Sequence, residues 1–384
     1  MNPMTDLRSH FLLDPSITFL NHGSFGATPT PVFETYQHWQ RELERQPVEF
    51  LGRRFDDLMN AARARLADYL HCDLDGLIFV PNATVGVNLV AHSIQLQAGD
   101  EILTTDHEYG ACDYAWQACC QRTGAIYRRH VIDLPITAES PEALAAAFWE
   151  SVTPRTRVIY LSHITSPSAL ILPVAEICRW ARAAGILTVI DGAHAPGQVP
   201  LDLTALDADI YTGNCHKWLC APKGSGFLYA QPAARAWLQP LIVSWGELPG
   251  ASFVTRNQWQ GTRDIAAFLS VPAAIDYQAA HDWDAVRSRC HALASEARGR
   301  IAEQFGLPPI SPDLAAWFGQ MVACPLPPAD PIALKARLYD ARRVEVPLTL
   351  QSGHLLVRVS FQAYNDAGDL ERLVGALGEL YATA

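Results

Sequence analysis

The sequence predicts an α/β protein. A large domain carries a mostly parallel seven-stranded sheet flanked by helices, and a smaller α+β domain follows at the C-terminal end. Two observations lead there. Between residues 77 and 230 short apolar runs alternate with helical patterns, the signature of a parallel sheet covered on both faces. Beyond residue 319 the alternation gives way to a mixed run of strands and helices. With 384 residues and 49% hydrophobic composition, the chain can bury a core for both.

In chain order, residues 17–29 read ITFLNHGSFGATP: a short apolar run, then a loop holding Asn21, His22, Gly23 and Gly26. Thr30-Pro31 pairs an N-cap with a first-turn proline and starts a helix to about residue 46. A second helix spans 55–70, with Phe55, Leu58, Ala62, Leu66 and Tyr69 on one face. Strands are expected at 77–80, 101–104, 125–131, 157–161, 187–190, 209–212 and 226–230, with helices at 84–94, 110–122, 140–151 and 173–184. Ser140-Pro141 repeats the cap-then-proline start, and Gly185 suits a helix stop. A loop-rich stretch, 239–262, carries Trp245 and Trp259; helices follow at 263–281 and 284–305. The tail reads as strand 319–324, helix 331–341, strands 343–346 and 354–361, and helix 366–381. The expected division is an N-terminal segment 1–18, a large domain 19–262 and a small domain 263–384 entered through the linking helix 263–281.

The net charge of −11 argues against nucleic acid or an anionic membrane as partner, since both select basic surfaces. No apolar run nears the roughly 20 residues of a membrane helix, and MNPMTDLRSHFLLDPS lacks the plan of a secretory signal. The nine cysteines are scattered without pairing pattern, as expected for reduced thiols in the cytoplasm.

Of 29 basic residues only three are lysines: Lys217, Lys223 and Lys335. Two of them fall within residues 187–229. Unlike Arg, a desolvated Lys can lose its proton and act as an amine nucleophile or base. Upstream, the apolar run Leu187–Ile190 ends in Asp191, which places a carboxylate at the edge of the sheet where ligands collect. An amine and a carboxylate at neighbouring strand ends suit pyridoxal 5′-phosphate (PLP), with Lys in a Schiff base and an acid at the pyridine nitrogen. A salt bridge or solvated loop charges would explain the two residues equally simply.

Further loops add to this. Asn82-Ala83-Thr84 opens a helix, whose amides and hydroxyl offer an anion site or a plain cap. Thr105-Asp106-His107-Glu108-Tyr109 follows a strand and brings aromatic rings to its rim, either to stack on a flat cofactor or to face solvent. His194 lies three residues past Asp191, and Thr262 opens another helix start. Arg358 interrupts the alternating strand LLVRVS; facing inward it needs an anion, and a carboxylate fits its fork. A metal reading of Cys215-His216 with Cys220 lacks a fourth ligand.

Taken together, FLNHGSFGATP, PNATVGVNLV, TTDHEYGA, VIDGAHAPG, TGNCHKWLCAPKGSGFLY, GTRD and VEVPLTLQSGHLLVRVSFQAYN resemble the class V aminotransferase superfamily of PLP enzymes (fold type I), within its isopenicillin N epimerase-like branch. The resemblance covers about residues 19–381. It implies the PLP-dependent transferase fold, with Lys217 in the Schiff base and Asp191 at the ring nitrogen. His107 would stack on the ring and His194 would lie near its phenolic oxygen. The Ala83 amide, Thr84 and His216 would hold the phosphate, with Thr262, after Gly261, reaching it from the second subunit of a homodimer. Arg358 would bind the substrate carboxylate, with Asn21 and His22 lining the pocket. Lys223, in a Pro-Lys-Gly turn, is the losing lysine.

The expected chemistry is amino-acid epimerisation, with transamination or C–S lysis as the alternatives and a PLP-fold regulatory module as the non-enzyme one. Cysteine desulfurases carry a Cys shortly before the carboxylate-binding Arg; VEVPLTLQSGH has none, which disfavours persulfide chemistry. An epimerase needs a proton donor on the face opposite Lys217, or access for a shared one. Tyr109, His22 and His107 are the candidates, and the sequence does not rank them.

Overall fold

A computed structural model describes residues 7–382. Its main sheet has seven strands in the order Leu77–Val80, Gly226–Ala230, Ile210–Asn214, Leu187–Gly192, Thr156–Ser162, Glu101–Thr105 and Ile126–His130. Only Gly226–Ala230 runs antiparallel to its neighbours; the remaining pairs are parallel. The central strands are buried on both faces, which explains why they read as continuous apolar runs. Each parallel strand returns through a helix: Ala83–Ser93, Gly110–Thr123, Pro141–Trp149 and Val174–Ala184. Gly185 closes the last of these in the left-handed conformation expected of it.

The small α+β domain is built on the antiparallel strands Leu348–Gln351, His354–Ser360 and Met321–Leu326. Helix Trp283–Phe305 packs beside it. The start of the described chain is bound into the same region. Thr18–Phe19 pairs in parallel with Val344–Glu345, and Asn21 bridges to Ser360. The loop that follows lies against the Lys217 segment. Gly26 has φ +70°, and a Cβ there would sit 1.9 Å from the His216 carbonyl oxygen, so only glycine permits the approach.

Three elements differ from expectation. The loop-rich stretch contains a short helix, Phe253–Gln258, capped by Ser252. The helix expected over 263–281 is two pieces, Ala266–Leu269 and Val271–Ala280, broken at Ser270 where Pro272 supplies no amide to continue the ladder. Strand Leu348–Gln351, read as loop, forms a hairpin with the Arg358 strand. Its turn residues Ser352 and Gly353 both have positive φ, the type I′ geometry that suits twisted strands.

Candidate active site

A cavity opens at the C-terminal edge of the main sheet, where ligands of α/β folds collect. Asp191, Lys217, His194, His216, Ala83, Thr84 and Tyr109 all line it. Topology puts them there. Asp191 ends one parallel strand, Lys217 follows the next one, and Tyr109 follows Glu101–Thr105 two strands away on the other side.

Lys217 is half-buried at the cavity floor and makes no ion pair among the described residues; its Nζ lies 3.2 Å from His194 Nε2. Burial, and then the positive field of Arg358, push its amine down to about 7. His194 explains the geometry. The Trp218 indole N–H donates to His194 Nδ1 at 3.2 Å. An indole only donates, so Nδ1 must accept and Nε2 must carry the proton. That proton meets the lone pair of a neutral amine, and burial followed by repulsion from Lys217 holds the imidazole well below its ordinary range.

Asp191 accepts from the Ala193 amide at 2.9 Å and from the Tyr160 hydroxyl at 3.2 Å, with Cys112 Sγ 3.6 Å away. Burial raises its carboxyl above the usual range. A cationic N–H set against it would reverse that shift.

Arg358 is 4% exposed yet has no carboxylate partner among the described residues. Its Nη1 donates to the Ser166 carbonyl at 2.7 Å and to Ser166 Oγ at 3.0 Å, and Nη2 donates to Ser24 Oγ at 3.1 Å. Its Nε finds no acceptor. Ser24 and Ser166 both line the cavity. A buried guanidinium fed only by hydroxyls and one carbonyl is poised for an incoming anion.

Four expected residues sit differently. His107 is fully buried away from the cavity, its ring held between Ser168 Oγ at 2.7 Å and the Ile132 carbonyl at 3.1 Å, beneath the Ser352 turn. The ring presented to the cavity is that of Tyr109, two residues on and 48% exposed. His22 is also buried outside the cavity; its ring bridges the Tyr364 hydroxyl and the Lys217 carbonyl, both at 3.0 Å, bracing the lysine segment from behind. Asn21 is likewise one step removed. It accepts from Ser24 Oγ at 2.5 Å and donates to Glu345 at 2.9 Å. The Ala83 amide is taken by the Asn214 carboxamide at 2.8 Å, which leaves Thr84 and His216 at the helix start. His216 Nδ1 donates to the Ser225 carbonyl at 3.0 Å, turning Nε2 free; burial pushes it down to about 4. Thr262 is exposed and outside its own chain's cavity.

Sequence reasoning passed over Asn214, Ser24, Ser162 and Glu108. Glu108 accepts from the Ser162 amide at 2.8 Å, from Ser162 Oγ at 2.6 Å and from Thr105 Oγ1 at 2.7 Å; burial raises it to about 8. No sequence signal marks these common polar residues. Lys223 faces a separate, largely apolar groove with Phe33 and Tyr36. No group of three or more His, Cys, Asp or Glu among the described residues could hold a metal, and none of their helices is long and apolar enough to cross a membrane.

Comparison with known proteins agrees with this geometry. The family model "Aminotransferase class-V" matches residues 26–373. The chain is 40% identical to the isopenicillin N epimerase of Amycolatopsis lactamdurans, covering 97% of each. It is 28% identical to a putative L-cysteine desulfhydrase of Oryza sativa subsp. japonica, covering 96% of this chain and 84% of that protein. Among solved structures, the apo cysteine desulfurase of Thermococcus onnurineus NA1 superposes with a TM-score of 0.85 at 20% identity, covering all of both chains. A cystine C–S lyase in complex with cysteine persulfide gives 0.83 at 23% identity, covering 95% of this chain and 98% of that one. With a desolvated amine, a buried acid and a helix start around one cavity, and a family match over most of its length, the chain belongs to the class-V aminotransferase family, as a PLP-dependent enzyme of its isopenicillin N epimerase-like branch.

Proposed function

We propose that the enzyme epimerises an amino-acid centre, acting on a Cα–H bond as an isopenicillin N epimerase-like enzyme. The observation that carries the reading is a desolvated amine, Lys217, in a cavity floored by Asp191, with a buried guanidinium lacking a counter-ion, Arg358, held just behind it by Ser24 and Ser166 of the cavity lining. The arrangement grips a carboxylate and leaves a base beside the carbon that bears it.

PLP, when bound, supplies the electron sink that makes that Cα–H bond labile. Lys217 would hold the cofactor, and its amine is the base placed to take the Cα proton. Asp191 would face the ring nitrogen, where its carboxylate would favour a bound proton. His194, its Nε2–H fixed by Trp218, donates toward the phenolic oxygen. Thr84 and His216 hold the phosphate, whose charge would draw a second proton onto His216. Arg358 binds the substrate carboxylate, and Asn21 and His22 act behind it by holding Ser24 and the Lys217 segment.

Two features support epimerisation over persulfide chemistry. The hairpin before Arg358 contains no thiol, and Cys324 is buried in a strand. The cysteine desulfhydrase relatives keep β-elimination as the second reading. We further propose a homodimer, in which the exposed Gly261-Thr262 turn reaches the neighbouring cavity; exposed Phe25 and Trp245 suit such a contact.

The holoenzyme is expected to show the visible band of a lysine-bound cofactor. Lys217→Ala abolishes it and Lys223→Ala does not; the reverse result refutes the assignment. Incubation with isopenicillin N and a panel of L-amino acids in deuterated water then separates the reactions. Inversion at Cα supports epimerisation, a keto acid without thiol supports transamination, and pyruvate with released sulfide supports the lyase.

A further inference from the structure

We infer that Tyr109 is the second acid–base of the reaction, delivering its proton to Cα on the side opposite Lys217. The inference rests on the epimerase reading and assigns a residue within it.

Inversion by two bases places one proton-handling group on each side of the reacting carbon. Lys217 and its neighbour His194, 3.2 Å apart, occupy one side. They lie on the loops that follow the strands Ile210–Asn214 and Leu187–Gly192. Two strands further along the sheet, beyond Thr156–Ser162, the Glu101–Thr105 strand brings in Tyr109. Asp191 ends a strand between the two, so the lysine and the phenol approach the space above it from opposite flanks.

The other candidates are occupied elsewhere. His107 and His22 have both ring nitrogens engaged and neither lines the cavity. Of the serines on the wall, Ser24 and Ser166 serve Arg358, and Ser162 serves Glu108. Of the three candidates Tyr109 alone lines the cavity, and it shares that lining with Ser24 and Ser166, the hydroxyls that hold Arg358. Cα is one bond from the carboxylate that Arg358 would hold, so a group on that shared lining is near the reacting carbon.

The protons balance. Lys217 takes one from Cα, the electron pair stays behind, and Tyr109 gives one to the opposite side. At 48% exposure the phenolate recovers its proton from water, and the lysine returns its own to water.

The test uses the holoenzyme with isopenicillin N in deuterated water. Wild type should yield inverted product carrying deuterium at Cα. In Tyr109→Phe, inversion should fall by about 100-fold or more, the usual contribution of a positioned general acid. Deuterium should still enter recovered substrate of unchanged hand, because the amine of Lys217 exchanges its protons with solvent. The ratio of inversion to exchange therefore drops, which a purely packing role would not cause. Tyr109→His, which restores a ring donor, should invert faster than Tyr109→Phe. An unchanged ratio in Tyr109→Phe, or equal inversion in the Phe and His variants, overturns the role of Tyr109 alone. No inversion by wild type overturns the epimerase reading and this assignment together.

Discussion

Replacing Arg358 with methionine should separate stability from recognition. The guanidinium is buried, and burial pushes it down to about 10 from an ordinary value of 12.5. Holding its charge in this buried position therefore costs about 3 kcal/mol relative to water. Three hydrogen bonds, to the Ser166 carbonyl, Ser166 Oγ and Ser24 Oγ, offset the cost, and each contributes about 1 kcal/mol net. Methionine has a similar apolar stem and removes both quantities together. The unfolding free energy should thus change by less than about 2 kcal/mol, in either direction, which is a few degrees at most in Tm. Recognition should behave otherwise. Losing one partner of a desolvated charge pair costs about 2–5 kcal/mol, which corresponds to a loss in kcat/KM of about 30-fold to several thousand-fold. Thermal unfolding of the holoenzyme and steady-state kinetics on the same preparation measure both. A Tm lowered by more than about 8 °C with KM unchanged would show that the arginine is a structural brace, and the carboxylate-anchor argument would fail.

Two further outcomes are expected. In protein stripped of cofactor, Lys217 holds its proton only up to about pH 7, whereas the unfolded chain keeps it to about 10.5. Because the unfolded state binds more protons between those values, stability should rise with pH across that window by up to about 1.4 kcal/mol per pH unit. Urea midpoints at pH 7 and pH 9 should separate in wild type and converge in Lys217→Met; equal separation in both would contradict the desolvated-amine picture. Gly26→Ala should impair folding or cofactor retention severely, since its Cβ would clash with the His216 carbonyl at a φ of +70°. A fully coloured, equally stable variant would show that the loop has room to move.

The residues most readable in the sequence were those that break a pattern. Asp191 ends an apolar run, Arg358 interrupts an alternating strand, and Lys217 is rare by residue type. Strand periodicity fixes which way each strand residue points, so burial followed from position. Loops have no such period. His107 and His22 were placed at the cavity by the family resemblance, yet the turn after Thr105 directs Tyr109 inward and buries His107 against Ser168. Asn214 and Ser24 matter through partners more than 100 residues away, and nothing local distinguishes them from ordinary polar residues. The Leu348–Gln351 strand was missed although Ser352-Gly353 is a hairpin turn, because the stretch was judged by the cysteine it lacks.

The placement of Arg358 bears on how the enzyme comes into being during synthesis. Its strand lies near the end of the chain, and the parallel pairing that ties Thr18–Phe19 to Val344–Glu345 joins the earliest described residues to some of the latest. A nascent chain can build the sheet that carries the reactive lysine long before the anchoring cation has left the ribosome. Until residue 358 has emerged, the lysine stands without the cation that would grip a substrate beside it, so a product truncated before that residue is expected to be catalytically silent.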